Sequence, residues 1–448
     1  MQKIYFAVMC AVILICVVPM SWNPNWSGEN FRHHNQYQFL ADALLKGQVY
    51  LDTPVDPRLA AMENPYDPQA RERLKLKPGV DFEWDHALYN GRYYVYFGVV
   101  PALLTFAPYK IIFGEPLAAY RATQIFAAIF IVGFFALLKF FAQKFFPRLS
   151  PAIYLSLAVA LSLVSISYCT EAPALYCTAI ASGLALEVWS VYFFARAAFT
   201  ERRNFFAEIF FGTLLGALAF GCKPTVALAN ILILPLLPKL FGKGNRAKIF
   251  VALSVPFIVV AAGLMNYNYL RFGNVFEFGQ SYQLTIADQH AFGNFSERFS
   301  LSAQIAGIMQ NFFGLGDLPT DEKKSFVLRY AIFWTPIILL TKNFRAALKV
   351  RGLQGFVVAL TVAPLLITAV QIQWAVFLIE RYRMEIYWLF ALLSFIAIGL
   401  LSERREKNFN AGVYVLCAVT IFQCVVLFLT PNDLNFTATE FHVYEPTM

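Results

Sequence analysis

The chain has 448 residues, of which 58% are hydrophobic and only 14% are charged, and its formal net charge at pH 7 is +8. Soluble domains carry about 25% charged residues, so this composition excludes an ordinary soluble domain and indicates a polytopic membrane protein. In such a protein an excess of Lys and Arg reports topology and lipid headgroups, so no nucleic acid partner is expected.

Several site classes are disfavoured by missing motifs. The seven cysteines lie in or beside apolar runs, and no CxxC or Cys/His spacing occurs. They behave as small hydrophobic residues, so neither a disulfide framework nor a zinc site is predicted. The sequence also contains no Walker motif, GxSxG or HExxH, which disfavours ATP-driven transport and serine hydrolysis.

The first apolar run, "MQKIYFAVMCAVILICVVPMSWNP", has the Lys3 and apolar core of a signal peptide. No small-x-small cleavage site follows the core, so we expect a retained helix. Apolar runs of about 20 residues mark membrane spans. Eleven are predicted along the chain, near 4–20, 119–138, 151–168, 174–195, 205–221, 224–238, 249–267, 327–341, 355–376, 385–402 and 410–430.

The basic connections predict the sidedness. "KFFAQKFFPR", "ARAAFTERR", "KLFGKGNRAK", "TKNFRAALKVRG" and "SERREK" share one side if the N-terminus is cytoplasmic, as the positive-inside rule requires. Two long loops, 21–118 and 268–326, and the tail 431–448 then lie outside. The predicted fold is one all-α transmembrane domain, residues 1–448, in a bacterial inner membrane.

This topology holds only if residues 95–113 do not cross the membrane. The stretch contains Pro101 and Pro108 and is flanked by Tyr and Lys, which favours a helix in the outer interface. Two further interfacial helices are predicted from apolar residues at helical spacing. Their predicted faces are Tyr37, Leu40, Ala41, Leu44 and Leu45 in the first loop, and Leu301, Ile305, Ile308, Met309, Phe312 and Phe313 in the second.

The order of predicted elements resembles the GT-C superfamily of membrane glycosyltransferases. A first crossing helix is followed by a long outer loop with interfacial helices and acidic residues, and then by many spans. The local similarities are short: "LADALLKGQVYLD", "YNGRYYVYFGVVPALLTFAPYKIIFG", "GALAFGCKPTVAL", "NYNYLRFGNVFEFGQSY" and "ERYRMEIYWLFAL". The resemblance implies an enzyme that moves a hexosyl or pentosyl group from a polyprenyl-phosphate donor to a lipid, glycan or protein acceptor of the cell envelope. Relatives carry an acidic residue just before the Tyr of the first loop helix, whereas this chain has His33-His34-Asn35-Gln36-Tyr37.

Such a transfer needs a carboxylate that accepts a proton or holds a metal, and cations that neutralise the phosphate leaving group. Asp85 is the first candidate carboxylate because it precedes the interfacial segment, and Glu29 is the second because it lies nearest the missing family acid. A divalent metal, Mg²⁺ or Mn²⁺, is left open. The cation candidates at predicted outer span ends are Arg92, Lys223, Arg271, Arg381 and Arg383. We expect Arg92, Lys223 and Arg381 or Arg383 to converge on one cavity.

Other interpretations of these residues stay open at the level of sequence. Asp85 could be a solvated loop acid or an ion-pair partner of Arg92, and the cations could extend to lipid headgroups. Glu187 lies within a predicted span and is expected to have a structural partner. A flippase or transporter of lipid-linked sugars, or a non-catalytic envelope-assembly protein, remains an alternative function.

Overall fold

The computed structural model describes residues 2–22, 35–173, 175–201, 204–290, 299–313, 329–374, 380–404 and 409–429. In chain order the first half contains α1 (Gln2–Trp22), α2 (Gln36–Leu45), α3 (Pro57–Ala60), α4 (Pro68–Lys75), β1 (Ala87–Tyr89), β2 (Arg92–Tyr94), a π-helical turn (Ala102–Phe106) that runs into α5 (Ala107–Phe113), α6 (Ala119–Phe145), α7 (Pro151–Glu171) and α8 (Leu175–Phe199).

The second half begins with α9 (Phe205–Phe220), α10 (Pro224–Ala227), a 3₁₀ helix (Leu228–Leu236), α11 (Leu237–Phe241) and α12 (Arg246–Phe272). The second loop contains a short 3₁₀ turn (Gln280–Tyr282) and α13 (Leu301–Phe313). A 3₁₀ helix (Ala331–Leu340), α14 (Lys342–Val350), α15 (Gln354–Trp374), α16 (Glu380–Ser402) and α17 (Phe409–Leu429) follow.

The helices support the predicted class of an all-α membrane protein. Within the described ranges, nine helical segments are long and apolar enough to cross a membrane, and each coincides with a predicted span. The other two predicted spans are helical but shorter. Helix α9 has 16 residues, roughly 24 Å at 1.5 Å per residue, and the 3₁₀ helix Ala331–Leu340 has 10, roughly 20 Å. The count of eleven therefore stays a prediction.

Helices α8 and α16 form the centre of the bundle. Of the candidate spans they are the most completely buried, with α8 packed between α6 and α9, and α16 packed against α7 and α15. Phenylalanine fills much of this core, and Phe130, Phe134, Phe141 and Phe395 are fully buried. The first turns of this central helix α16 carry the charged "ERYRME" segment.

The first long loop has a hydrophobic core of its own. Tyr37 and Leu40 of α2 pack there with Tyr93 of β2 and Phe106 of the π-helical turn, and Leu284 joins them from the second loop. Tyr37 and Phe106 stack with ring centroids 5.3 Å apart. The predicted apolar face of α2 is therefore buried in protein at its centre, while Leu45 at its end is exposed.

A β-hairpin, which the sequence analysis did not predict, lies between the loop helices and α5. Strands β1 and β2 are antiparallel, with Leu88 opposite Tyr93. Asn90 (φ 49°) and Gly91 (φ 68°) connect them, and two positive φ values in an Asn-Gly pair define a type I′ turn. The second loop adds to the hairpin, because Leu284 N donates to the His86 carbonyl at 2.9 Å and Ala87 bridges Gln283.

The other two helices that were predicted to be interfacial expose apolar side chains. The helical segment Ala102–Phe113 is apolar but short for a span, and Leu103, Ile111, Ile112 and Phe113 are exposed. On α13 most of the predicted apolar face is likewise exposed, while the buried side includes Gln304 and Asn311. A helix that directs apolar groups outward and amides inward suits a position at the membrane boundary.

Candidate functional site

A cavity of about 570 Å³ lies where the two long loops meet the ends of the bundle helices. It is bordered by the segment after β2, the start of α8, the end of α9, the start of α10, the end of α12, the second loop and the start of α16. Its charged lining residues are Asp85, Lys223, Arg271, Glu277 and Arg381. Of the residues expected to converge, Lys223 and Arg381 line this cavity, together with Asp85 and Arg271.

Asp85 is held in an unusual backbone conformation at the entry to the hairpin. Its φ of 55° lies in the left-handed region, which Asp tolerates better than most residues. Its N–H donates to the Leu284 carbonyl at 2.9 Å, and its own carbonyl accepts from Gln36 Nε2 at 3.0 Å. Left-handed non-glycine residues persist where surrounding contacts determine them, and they cluster at functional sites.

The Asp85 carboxylate is buried, with 7% of the residue exposed. Its Oδ1 accepts a hydrogen bond from Gln283 Nε2 at 2.9 Å. Burial raises the pKa of Asp85, while the attraction of Arg381 and the hydrogen bonds from Gln283 and Thr285 oppose that rise. A carboxyl with a raised pKa that borders a cavity has the character of a general base.

Arg381, at the start of α16, lies among aromatic rings. Its guanidinium carbon is 4.0 Å from the Tyr176 ring centroid and 5.3 Å from that of Tyr382. No carboxylate in the described parts of the chain lies within ion-pair distance of it. Since the aromatic contacts leave its charge unneutralised, Arg381 can accept an anionic ligand in the cavity.

Lys223 is positioned by a buried ion pair. Its Nζ lies 2.6 Å from Glu385 Oε1, and the Glu385 side chain is fully buried. Lys223 immediately precedes Pro224 at the start of α10, and Glu385 lies one turn along α16 from Arg381, so the pair joins two elements that border the cavity. A charge buried to this degree persists only with a close partner.

Arg271 and Glu277 form the opposite side of the cavity and are largely committed to protein contacts. Arg271 donates to the Val95 carbonyl at 2.7 Å and to Asn268 Oδ1 at 2.6 Å. Glu277 accepts from Gly279 N at 2.6 Å and from Ser281 Oγ at 3.0 Å. Arg271 therefore joins the end of α12 to the segment after β2, and Glu277 stabilises a turn of the second loop.

The backbone of the segment after β2 packs directly against the backbone at the end of α9. A Cβ placed on Gly98 would lie 2.0 Å from the Gly221 carbonyl oxygen, and that oxygen accepts from Val100 N at 3.0 Å. Only glycine fits this approach. The contact fixes the hairpin, and with it Asp85, against the membrane bundle.

Two described residues that were predicted for the site, Arg92 and Arg383, do not line the cavity. Arg92 is exposed, and its guanidinium lies 4.0 Å from the Tyr50 ring centroid. Arg383 is buried, where its Nε donates to Asn311 Oδ1 at 2.9 Å and its Nη1 lies 3.4 Å from Glu380 Oε2. Glu29 lies outside the described residues. Glu187 accepts from Asn230 Nδ2 at 2.8 Å, a structural partner of the kind expected.

Sequence reasoning missed Gln36, Gln283 and Glu385 as parts of the site. An Asn-Gly pair between apolar residues is a strong hairpin signal, and it would have placed Asp85 beside a strand. Gln36 stands directly before Tyr37, at the position where the GT-C resemblance would predict an acid. No local signal points to Gln283, because its contact with Asp85 spans 198 residues.

The described side chains around the cavity offer few ligands for a divalent metal. Among the side chains that the structure describes, no group of three or more His, Cys, Asp or Glu residues is arranged to hold a metal ion. The cavity offers Asp85 and Glu277, and Glu277 already accepts two hydrogen bonds. No residue is therefore assigned to a metal.

Comparison with known proteins leaves the family open. Neither a scan against protein-family models nor a search of curated proteins finds a match for this chain.

Proposed function

We propose that this chain is an integral membrane glycosyltransferase of the GT-C type. In this proposal it moves a sugar from a polyprenyl-phosphate donor to an envelope acceptor at the outer face of a bacterial inner membrane. The observation that carries the proposal is the meeting of Asp85 and Arg381 in one cavity. One is a buried carboxylate suited to accept a proton, and the other is a cation without a carboxylate partner among the described residues.

The proposed step begins at Asp85. Its carboxylate accepts the proton of the acceptor hydroxyl, and the acceptor oxygen forms a bond to the anomeric carbon of the sugar. The bond between that carbon and the phosphate oxygen breaks, and its electron pair stays on the phosphate. Gln283 holds Oδ1 of Asp85 by its 2.9 Å hydrogen bond, which keeps the carboxylate in one orientation as it receives the proton.

The leaving group gains negative charge as the bond breaks, and Arg381 is placed to stabilise it. A guanidinium binds phosphate oxygens in a bidentate manner. Lys223 adds a second positive charge, part of which Glu385 neutralises. Apolar side chains at the cavity edge, Leu264, Phe220, Phe276 and Phe278, give the first part of a polyprenyl chain a surface to contact.

Gln36 supports the assignment of Asp85. It occupies the position before Tyr37 at which relatives carry an acid, it is 1% exposed, and it contacts the Asp85 backbone. Gln36 therefore stands where relatives carry the acid, and the residue that Gln36 contacts, Asp85, is itself an acid. This pattern favours a carboxylate that has moved to the hairpin.

The test is sugar transfer from a polyprenyl-phosphate donor by the purified full chain, with Asp85→Asn, Glu29→Gln and Arg381→Gln as variants. Removing a positioned base lowers rates by about 10²- to 10⁴-fold, so Asp85→Asn should lose most transfer and Glu29→Gln far less. Arg381→Gln should raise the KM for the donor as well as lower kcat. Asp85→Asn should stay folded, because the amide has nearly the size of the carboxyl group and its Oδ1 can still accept the hydrogen bond from Gln283 Nε2.

The opposite ranking, with Glu29→Gln inactive and Asp85→Asn near normal, would assign the base to Glu29. Full activity in all three variants would contradict a first-loop acid altogether. A transporter is distinguished by its product: movement of intact lipid-linked sugar across vesicles, without formation of the acceptor glycoside, would replace the transferase proposal.

A further inference from the structure

A groove of about 610 Å³ lies between the first halves of α9 and α12. Both helices end at the candidate cavity, with Phe220 and Arg271, so the groove lies at the opposite end of the pair. Its lining residues are Phe206, Ala207, Phe210, Phe211, Ala247, Lys248, Val251, Ala252 and Val255. The groove therefore belongs to neither the candidate site nor the outer loops.

The shape of the groove follows from side-chain size. Ala207, Ala247 and Ala252 leave space between the two helices, and Phe210 and Phe211 border it from α9. Apart from Lys248, every lining side chain is a hydrocarbon. Such a surface offers water no hydrogen bonds, and it gains free energy when an alkyl chain covers it.

The polar end of the groove carries uncompensated positive charge. Helix α12 begins with Arg246, has Lys248 two residues later, and has no acidic residue in its first turn. A helix N-terminus is itself positive, so cations there are unfavourable unless an anion is near. Arg246 and Lys248 are both exposed, and neither forms an ion pair with a carboxylate in the described ranges.

We propose that this groove binds an anionic phospholipid. One acyl chain lies along the alanines between α9 and α12, and the phosphate lies against Lys248, Arg246 and the positive end of α12. Basic pockets between membrane helices select anionic headgroups in this way. The Asn245 side chain already accepts from Lys248 N at 3.1 Å, so α12 contributes to phosphate binding through the positive end of its dipole. The end of the groove is apolar and its mouth is cationic, which matches the two parts of such a lipid.

The test is lipid binding to the purified full chain in a non-ionic detergent, followed by native mass spectrometry during titration with phosphatidylglycerol or phosphatidylcholine. Phosphatidylglycerol should bind more tightly. Arg246→Gln with Lys248→Gln should weaken its binding by about tenfold, because each basic residue near an anionic headgroup contributes to binding. Ala207→Phe with Ala247→Phe should fill the groove and weaken both lipids. Both alanines are exposed, so this variant tests occupancy without changing the core.

The matched control is Lys342→Gln with Arg345→Gln. It removes the same number of charges from the first turn of α14, where both residues are exposed and neither lines either cavity. It should leave phosphatidylglycerol binding unchanged. An equal loss in the control, equal binding of the two lipids, or unchanged binding in both groove variants would overturn the proposal. So would displacement of phosphatidylglycerol by a polyprenyl phosphate at equal concentration, because the groove would then belong to the donor.

Discussion

Gln36 donates a hydrogen bond from its Nε2 to the backbone carbonyl of Asp85 at 3.0 Å, and both residues are buried. The contact joins the first loop helix to the entry of the hairpin. Gln283, from the second loop, binds the Asp85 side chain. Asp85 is therefore fixed on two sides by amides from distant segments, which is the kind of support that a catalytic carboxylate needs to keep one position.

The pH dependence of sugar transfer should report the ionisation of the Asp85 carboxyl group. Burial raises the pKa of its carboxyl, and a base must be ionised, so the acid limb of kcat/KM should lie above the usual Asp value of about 3.9. Gln283→Leu removes a donor that favours the charged form. The acid limb should then move to still higher pH in a profile of kcat/KM.

Gln371→Leu is the control for this experiment. Gln371 lines the same cavity, but its Nε2 donates to the Tyr382 carbonyl at 3.1 Å. This variant should change the height of the profile and leave the acid limb in place. If Gln283→Leu leaves the limb where it is in the wild type, the titrating group is not Asp85.

The Lys223–Glu385 pair should matter for stability as well as for transfer. Lys223→Met leaves the fully buried Glu385 side chain without its counter-charge. Removal of one partner of a buried pair costs about 3–5 kcal/mol in the free energy of unfolding. Lys223→Met with Glu385→Met should recover most of that loss in a denaturant or thermal unfolding experiment. The double variant should still transfer sugar poorly, because the cation is gone; recovery of both properties would mean that Lys223 serves only the fold.

Gly98 should not tolerate a side chain. In Gly98→Ala the new Cβ would meet the Gly221 carbonyl oxygen at 2.0 Å, and backbone atoms cannot rotate away. Overpacking of this kind typically costs about 1–3 kcal/mol, so the unfolding temperature should fall and transfer should fall with it. Gly263→Ala in α12 is the matched control. Nothing lies within 4 Å of its added Cβ, and its stability should be unchanged or slightly higher. Equal effects in the two variants would contradict the close approach.

The topology predicts opposite accessibility for residues 110 and 144. Lys110, in the interfacial helix α5, forms an ion pair with Asp42 of α2, and Lys144 lies at the other end of α6 from Ala119. In intact cells a membrane-impermeant thiol reagent should label Lys110→Cys and reach Lys144→Cys only after permeabilisation. The wild-type chain sets the background, since all of its seven cysteines except Cys10 are buried. Labelling in the reverse order would place both long loops in the cytoplasm and move the proposed donor site with them.

The sequence by itself determined the class and the positions of the membrane helices. A buried apolar run must satisfy its backbone hydrogen bonds internally, and a helix does so from local residues alone. For the same reason the loop helix α2 could be predicted from the spacing of Tyr37, Leu40 and Ala41. The lengths of α9 and of the 3₁₀ helix Ala331–Leu340 could not, because their ends depend on neighbouring segments.

Only the tertiary structure decided which charged residues meet. Asp85, Lys223 and Arg381 are separated by long stretches of chain, and all five cation candidates had the same sequence signature at the end of a predicted segment. Packing directed Lys223, Arg271 and Arg381 to one cavity, Arg92 onto Tyr50 and Arg383 into contact with Asn311. Nor did any local pattern reveal that Glu385 would neutralise Lys223. Such pairs form because a charge that helix packing buries is costly unless an opposite charge lies nearby, and the tertiary fold decides which opposite charge that is.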